Sequence, residues 1–210
     1  ITRHPISRVV FTSSGVIYGP VSPYRESDHP IIDHLSSSCS LAFGKLTAEY
    51  ILSAACSASN VTLSVARCFS YVSPYLPTDL HYALGNFVHN AVNNNDIIIR
   101  SDGTDLRSYQ HVEDAIDWIL FLLTSDSPPP VLNVGSDTSI SIKDLARFIK
   151  RILNSDSTIS ILGQQPPPHN SRRAIYIPNL DLARSLLLQN KRTLAVGISQ
   201  LATYIKASNG

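Results

Sequence analysis

Methionine is absent from the 210 residues, tryptophan occurs once and cysteine three times. Cys39, Cys56 and Cys68 are too few and too irregularly spaced for a disulfide framework. They also form no C-x-x-C metal spacing, so buried thiols in a reducing compartment are expected and no metal site is. A chain that opens on Ile1 and lacks the charged start, apolar middle and small-residue cleavage site of a secretory leader reads as a piece of a longer protein. Long apolar runs are missing too. The longest, Trp118 to Leu123, is far below the roughly 20 residues that span a bilayer. Charge of one sign is equally scarce: the formal net charge is +1 and the basic residues are scattered. This predicts neither a nucleic-acid partner nor a membrane surface. The nine glycines never approach G-x-G-x-x-G, the turn that lets a backbone close on a dinucleotide pyrophosphate at a helix N-terminus.

What is present suffices for a core, at 43% hydrophobic and 16% charged residues. Arg8 to Ser14 is a short apolar run ending in small polar residues and Gly15, the pattern of a buried parallel strand leaving its sheet. Ser40 to Ala58 carries apolar residues at helical spacing, and Val61 to Arg67 is β-branched and alternating. Strand, helix and strand in that order predict a parallel α/β sheet. Beyond Pro74 and Pro77, a helix is expected over Leu84 to Val92 and a short strand over Ile97 to Ile99. A further helix is expected over Val112 to Leu123, and a third sheet strand over Val131 to Val134. Ser141 and Asp144 form a capping-box-like start for a helix over Ile142 to Leu153. The remainder predicts a strand over Thr158 to Leu162, a proline-rich loop at Pro166 to Pro168, and helices from Leu180 and from Ile198.

Five stretches, in order, carry a family pattern. Thr12-Ser-Ser-Gly-Val-Ile-Tyr-Gly19 is similar to S-S-x-x-V-Y-G, and Leu41-Ala-Phe-Gly-Lys-Leu-Thr-Ala-Glu49 to Y-x-x-x-K-x-x-x-E. Arg67-Cys-Phe-Ser-Tyr-Val-Ser-Pro74 is similar to R-x-F-N-V-Y-G-P. Asp102-Gly-Thr-Asp-Leu-Arg-Ser-Tyr109 resembles G-D-G-T-x-x-R-D-F/Y, and Leu132-Asn-Val-Gly135 resembles Y-N-V-G. Together they resemble the C-terminal portion of the NAD-dependent epimerase/dehydratase family of extended short-chain dehydrogenases/reductases. The resemblance implies an α/β fold: the last strands of a Rossmann-like parallel sheet, over 1–72 and 108–135. A small mixed α/β substrate-binding lobe is implied over 73–107 and 136–210. It further implies NAD, with NADP as the other option, a nucleotide-diphosphate sugar as substrate, a cytoplasmic setting, and a homodimer in the complete protein.

In that family a tyrosine takes a proton from a sugar hydroxyl while hydride passes to the nicotinamide, and a lysine four residues later lowers the tyrosine pKa and binds the ribose. Residues four apart stack on one helix face. Lys45 matches the lysine and Ser14 the serine that bonds the reacting hydroxyl, but Leu41 stands at the tyrosine position. Tyr50 lies more than a turn away, on the wrong side of Lys45. The resemblance gives the cofactor Ser13, Lys45 and Arg67, and the substrate Ser14, Ser70, Asn86, Ile98, Arg107 and Arg173, with Arg172 as the alternative to Arg173. Gly15 and Val16 replace the acidic pair of a 4,6-dehydratase, so epimerase-like or reductase-like chemistry is expected. Set against these roles are plainer ones: Ser14 as a turn cap, Lys45 as a helix charge paired with Glu49, and Arg107 as an ion-pair partner of Asp105 or Asp114. Tyr71 and Tyr75 are read as packing residues or as a platform for a base.

Overall fold

A computed structural model describes residues 6–19, 24–30, 39–78, 82–163 and 175–208. Its first strand is β1 (Arg8–Ser14), followed by a 3-10 turn over Gly15–Tyr18 and the long helix α1 (Ser40–Ala58). Then come β2 (Thr62–Cys68), β3 (Tyr71–Val72), α2 (Ala83–Val92), β4 (Ile97–Ile99), β5 (Leu106–Ser108), β6 (Gln110–His111) and α3 (Val112–Thr124). The last part holds β7 (Val131–Val134), β8 (Ser139–Ser141), α4 (Ile142–Leu153), β9 (Ile159–Ile161), β10 (Ile175–Tyr176), α5 (Asp181–Ser185) and α6 (Leu194–Ser208). These elements form two compact units. One comprises Ile1–Phe69, Glu113–Asp137 and Tyr176–Gln189; the other comprises Ser70–Val112, Thr138–Ile175 and Asn190–Gly210.

In the first unit β1, β2 and β7 form a parallel sheet in that order. Parallel neighbours need a crossover, and α1 supplies it between β1 and β2. The register runs from Arg8 opposite Thr62 to Ser14 opposite Cys68, and from Val65 opposite Val131 to Cys68 opposite Val134. The C-terminal ends of all three strands therefore lie side by side. Around them Tyr18, Tyr24 and Phe69 are buried together with Ile17, and Leu46 and Tyr176 pack onto the cluster. The Tyr18 and Tyr24 rings stack at 5.2 Å, and those of Phe69 and Tyr176 lie 4.8 Å apart. This aromatic packing dictates Gly15: a Cβ there would sit 2.5 Å from the Phe69 ring. β1 is an outer strand of this sheet among the described residues. On α1, Leu41, Phe43, Tyr50 and Ile51 are exposed.

The second unit buries α2, α4 and α6 around Leu84, Val88, Leu145, Ile149, Ile198 and Leu201, with Val72, Ile97 and Ile99 from its short strands. β4 pairs with β9 and β3 with β6 in parallel, while β5 pairs with β8 in antiparallel. The expected start of α4 is observed: Ser141 Oγ accepts the Asp144 amide at 3.2 Å, and Asn154 closes the helix in the left-handed region at φ 48°.

The last helix corrects an expectation. It begins at Leu194 rather than Ile198, with Gly197 inside it. The glycine is there because Val72 packs onto it: a Cβ at position 197 would lie 2.4 Å from Val72 Cγ1. Two smaller corrections concern strand ends: β2 lies one residue later than the expected Val61 to Arg67, and β9 is shorter than Thr158 to Leu162. The loop at Pro166 to Pro168 lies outside the described residues. No helix among the described residues is long and apolar enough to cross a membrane, and no group of three His, Cys, Asp or Glu side chains there is disposed to hold a metal ion.

Candidate active site

Ser13, Ser14, Leu41, Lys45 and Arg67, all singled out in the sequence, lie in the first unit. Ser14 ends β1 and caps the following turn, its Oγ accepting the Val16 amide at 3.3 Å. Lys45, on α1, is half-buried; its Nζ donates to the Thr12 carbonyl at 2.8 Å and lies 5.2 Å from the centre of the Phe11 ring. The ammonium is thereby tied to β1 two residues before Ser14. Leu41, one helical turn earlier, is 59% exposed and presents only methyl groups.

Ser13 and Arg67 point inward. The Ser13 hydroxyl donates to Glu49 Oε1 at 2.5 Å, and Arg67 grips the same carboxylate with Nε at 3.2 Å and Nη2 at 2.9 Å. Arg67 Nη1 donates to the Tyr18 hydroxyl at 2.9 Å and the Glu26 carbonyl at 3.4 Å. The Tyr18 hydroxyl donates in turn to Asn133 Oδ1 at 2.8 Å. Asn133 donates its amide to Glu26 Oε1 and its side chain to the Tyr24 carbonyl. Strand alternation sends Ser14 to the pleat opposite Ser13, and Ser14 remains partly exposed while Ser13 is buried.

This network corrects the plain reading of Lys45 as the partner of Glu49. Glu49 is buried, at 8% exposure, and its oxygens belong to Ser13 and Arg67. Sequence reasoning missed Glu49, Tyr18, Glu26 and Asn133 as members of the site's framework. The signal was available for three of them, since Glu49, Tyr18 and Asn133 are letters of the motifs quoted above. Burial works against each charge here and its partners answer it. For Tyr18 burial dominates and pushes the phenol up to about 12, although Arg67 pulls the other way. For Arg67 burial disfavours the cation, but the bonds to Glu49 and Tyr18 outweigh it and hold the group above its ordinary value. Burial also raises Glu26, partly offset by the Asn133 amide.

The other predicted residues that the structure describes lie in the second unit. The Ser70 carbonyl accepts the Gln110 amide at 3.0 Å. Asn86, on α2, accepts from Asn90 at 3.4 Å, and Ile98 is 42% exposed on β4 between two buried isoleucines. Arg107, on β5, faces Asp105 at 3.6 Å and donates to the Leu106 carbonyl. Asp114, the other acidic partner considered for it, is buried. Arg172 and Arg173 lie outside the described residues.

For a dinucleotide, the residues present fit one part. An ammonium has three donors and Lys45 commits one to Thr12, an arrangement suited to a ribose diol at the C-terminal end of a parallel strand. A pyrophosphate cradle has no counterpart among this chain's glycines.

Known proteins resemble this chain over part of their own length. UDP-glucuronic acid decarboxylase 5 of Arabidopsis thaliana is 23% identical over 183 residues, covering 86% of this chain and 52% of that protein. UDP-glucuronic acid decarboxylase 1 of Xenopus tropicalis is 26% identical and is covered to 42%. The chain thus spans about half the length of the curated relatives it matches. Among solved structures, UDP-glucuronic acid 4-epimerase from Bacillus cereus, in complex with UDP-glucuronic acid and NAD, superposes with a TM-score of 0.81 at 20% identity. It matches 98% of this chain and 63% of its own. UDP-N-acetylglucosamine 4-epimerase from Methanobrevibacter ruminantium M1, in complex with UDP-N-acetylmuramic acid, gives 0.82 at 20% identity, over 97% of this chain and 64% of its own. These likenesses establish a Rossmann-type fold, and the profile of the NAD dependent epimerase/dehydratase family matches residues 1–135. The chain belongs to the NAD dependent epimerase/dehydratase family.

Proposed function

We propose that this chain is the C-terminal portion of an NAD-dependent nucleotide-sugar epimerase or reductase relative, acting at a sugar hydroxyl and impaired there by Leu41. One observation carries the reading: Lys45 is anchored at the Thr12 carbonyl beside Ser14, one helical turn from an exposed leucine in the place of a proton carrier. NAD, when bound, supplies the acceptor and donor of hydride. Lys45 binds the nicotinamide ribose, and Ser14 hydrogen-bonds the sugar hydroxyl. Ser13 and Arg67 serve the cofactor side indirectly, by stiffening the strand ends through Glu49. Arg107, whose planar fork suits a diphosphate, serves the substrate with Ser70, Asn86, Ile98 and Arg173. The UDP-sugar ligands of the structural neighbours support a UDP-linked sugar. A cytoplasmic homodimer is the setting of the complete protein.

Leucine has no atom that can accept a proton, so the general-base contribution of roughly 10²–10⁴ in rate is missing. The same observation favours a second reading, a non-catalytic homologue that retains the ligand groove. Joining this chain to a dinucleotide-binding N-terminal half from a relative, and comparing it with the Leu41→Tyr version on a panel of UDP-sugars, separates the two. Gain of UDP-sugar conversion or of transient NADH on Leu41→Tyr supports the impaired enzyme, whereas binding without turnover in both supports the homologue. Absence of both binding and turnover overturns the site.

A further inference from the structure

Helix α1 is apolar on several sides. Ala42 and Cys56 are buried, while Leu41, Phe43, Tyr50 and Ile51 stand exposed. Burial of apolar surface therefore discriminates poorly between rotations of this helix about its axis. A buried charge discriminates strongly, because any rotation that withdraws it from its partner leaves an uncompensated ion in the interior. Glu49 is such a charge, and its partners stand on two strands at one level: Ser13 of β1 and Arg67 of β2 are register partners in the sheet. The carboxylate straddles that pair, so it senses both the rotation of the helix and the alignment of the strands.

Lys45 precedes Glu49 by four residues, about one helical turn on the same face. Fixing one fixes the other. We propose that Glu49 is a positioning residue for Lys45: clamped by Ser13 and Arg67, it sets the rotation of α1 and so seats the Lys45 ammonium at the Thr12 carbonyl and over the Phe11 ring. The functional meaning of this clamp rests on Lys45 as the ribose-binding group, but the seat itself is observable without any ligand.

Reductive ¹³C-methylation of the lysines in the full chain gives a direct readout, because a methylated amine over Phe11 carries a ring-current shift. The Lys45 signal is assigned by its loss in Lys45→Arg. In Glu49→Ala the clamp is gone and the Lys45 signal is expected to move to the position of a solvent-exposed lysine. In Glu49→Gln, which still accepts from Ser13, part of the shift is expected to return. Ser13→Ala, which leaves the Arg67 pair in place, keeps the test open if Glu49→Ala does not fold, and is expected to move the signal partway. An unmoved Lys45 signal in folded Glu49→Gln and Ser13→Ala overturns the proposal. Saturation-transfer contacts from NAD to the Lys45 methyls, measured in the unsubstituted chain joined to a dinucleotide-binding N-terminal half, report on the ribose assignment. NAD binding without contacts to a seated Lys45 would overturn that assignment, while displacement of the Lys45 signal in the Glu49 and Ser13 variants would leave the clamp standing.

Discussion

The Arg67 guanidinium meets the Glu49 carboxylate with two nitrogens, at 3.2 and 2.9 Å, and both side chains are at most one-tenth exposed. A pair this deep is costly to break from one side, since the survivor keeps its charge without a partner. Arg67→Ala is expected to destabilise the first unit by about 3–5 kcal/mol. Arg67→Lys retains the charge but loses the fork, and is expected to fall between wild type and Arg67→Ala. Denaturant midpoints measure both. Equal stability of Arg67→Ala and wild type would count against a paired interior charge.

Glycine 15 makes a second prediction. Its missing side chain is occupied by the Phe69 ring, 2.5 Å from where a Cβ would stand. Gly15→Ala is expected to cost about 1–3 kcal/mol through overpacking. Phe69→Leu in the same chain is expected to relieve that cost, giving a favourable coupling in a double-mutant cycle. Additive effects would mean that the ring and the glycine do not constrain each other.

Alkaline pH supplies a third. Tyr18 is pushed up to about 12 by burial, against an ordinary value of about 10. Below about pH 10 both folded and unfolded chains hold the phenol proton and its contribution is complete. Between about 10 and about 12 the unfolded chain releases the proton while the folded chain keeps it, so stability falls as pH rises. The expected slope from this group is about 1.4 kcal/mol per pH unit. Tyr18→Phe should flatten that slope while costing stability at neutral pH, because Arg67 and Asn133 each lose a partner. Thermal melts between pH 8 and 12 decide it, and an unchanged slope in Tyr18→Phe would assign the alkaline loss elsewhere.

Exposed apolar side chains on α1 and the outer position of β1 predict the behaviour of the 210-residue chain by itself. An unpaired strand edge and an apolar helix face favour self-association. Melting is expected to be broad and to depend on concentration. A sharp transition independent of concentration, with monomeric sedimentation, would contradict this.

Much of the architecture was legible in the residues. β1 follows from an apolar run ending in small polar residues, β7 from the short run after Pro128 to Pro130, and α4 from Ser141, Asp144 and its apolar spacing. The start of α6 was not, because Gly197 looks like a helix breaker until Val72 is seen packed upon it. The site divides in the same way. Ser14, Leu41 and Lys45 stand out only through the resemblance of their motifs to the family's, whereas Glu49 reads as the surface partner of Lys45 at i,i+4. Only the register of Ser13 opposite Arg67, a contact between distant segments, turns it inward.

Position 41 is where the loss of the proton carrier is measured most directly. In a protein joining this chain to a dinucleotide-binding N-terminal half, initial rates of UDP-sugar conversion, with the transient NADH absorbance followed in a single turnover, are compared for the Leu41 and Leu41→Tyr forms. A gain of about tenfold or more on Leu41→Tyr, abolished again by Lys45→Ala, is the predicted result. A Leu41→Tyr protein that binds NAD and UDP-sugar yet gains nothing would contradict the claim that only a proton carrier is missing.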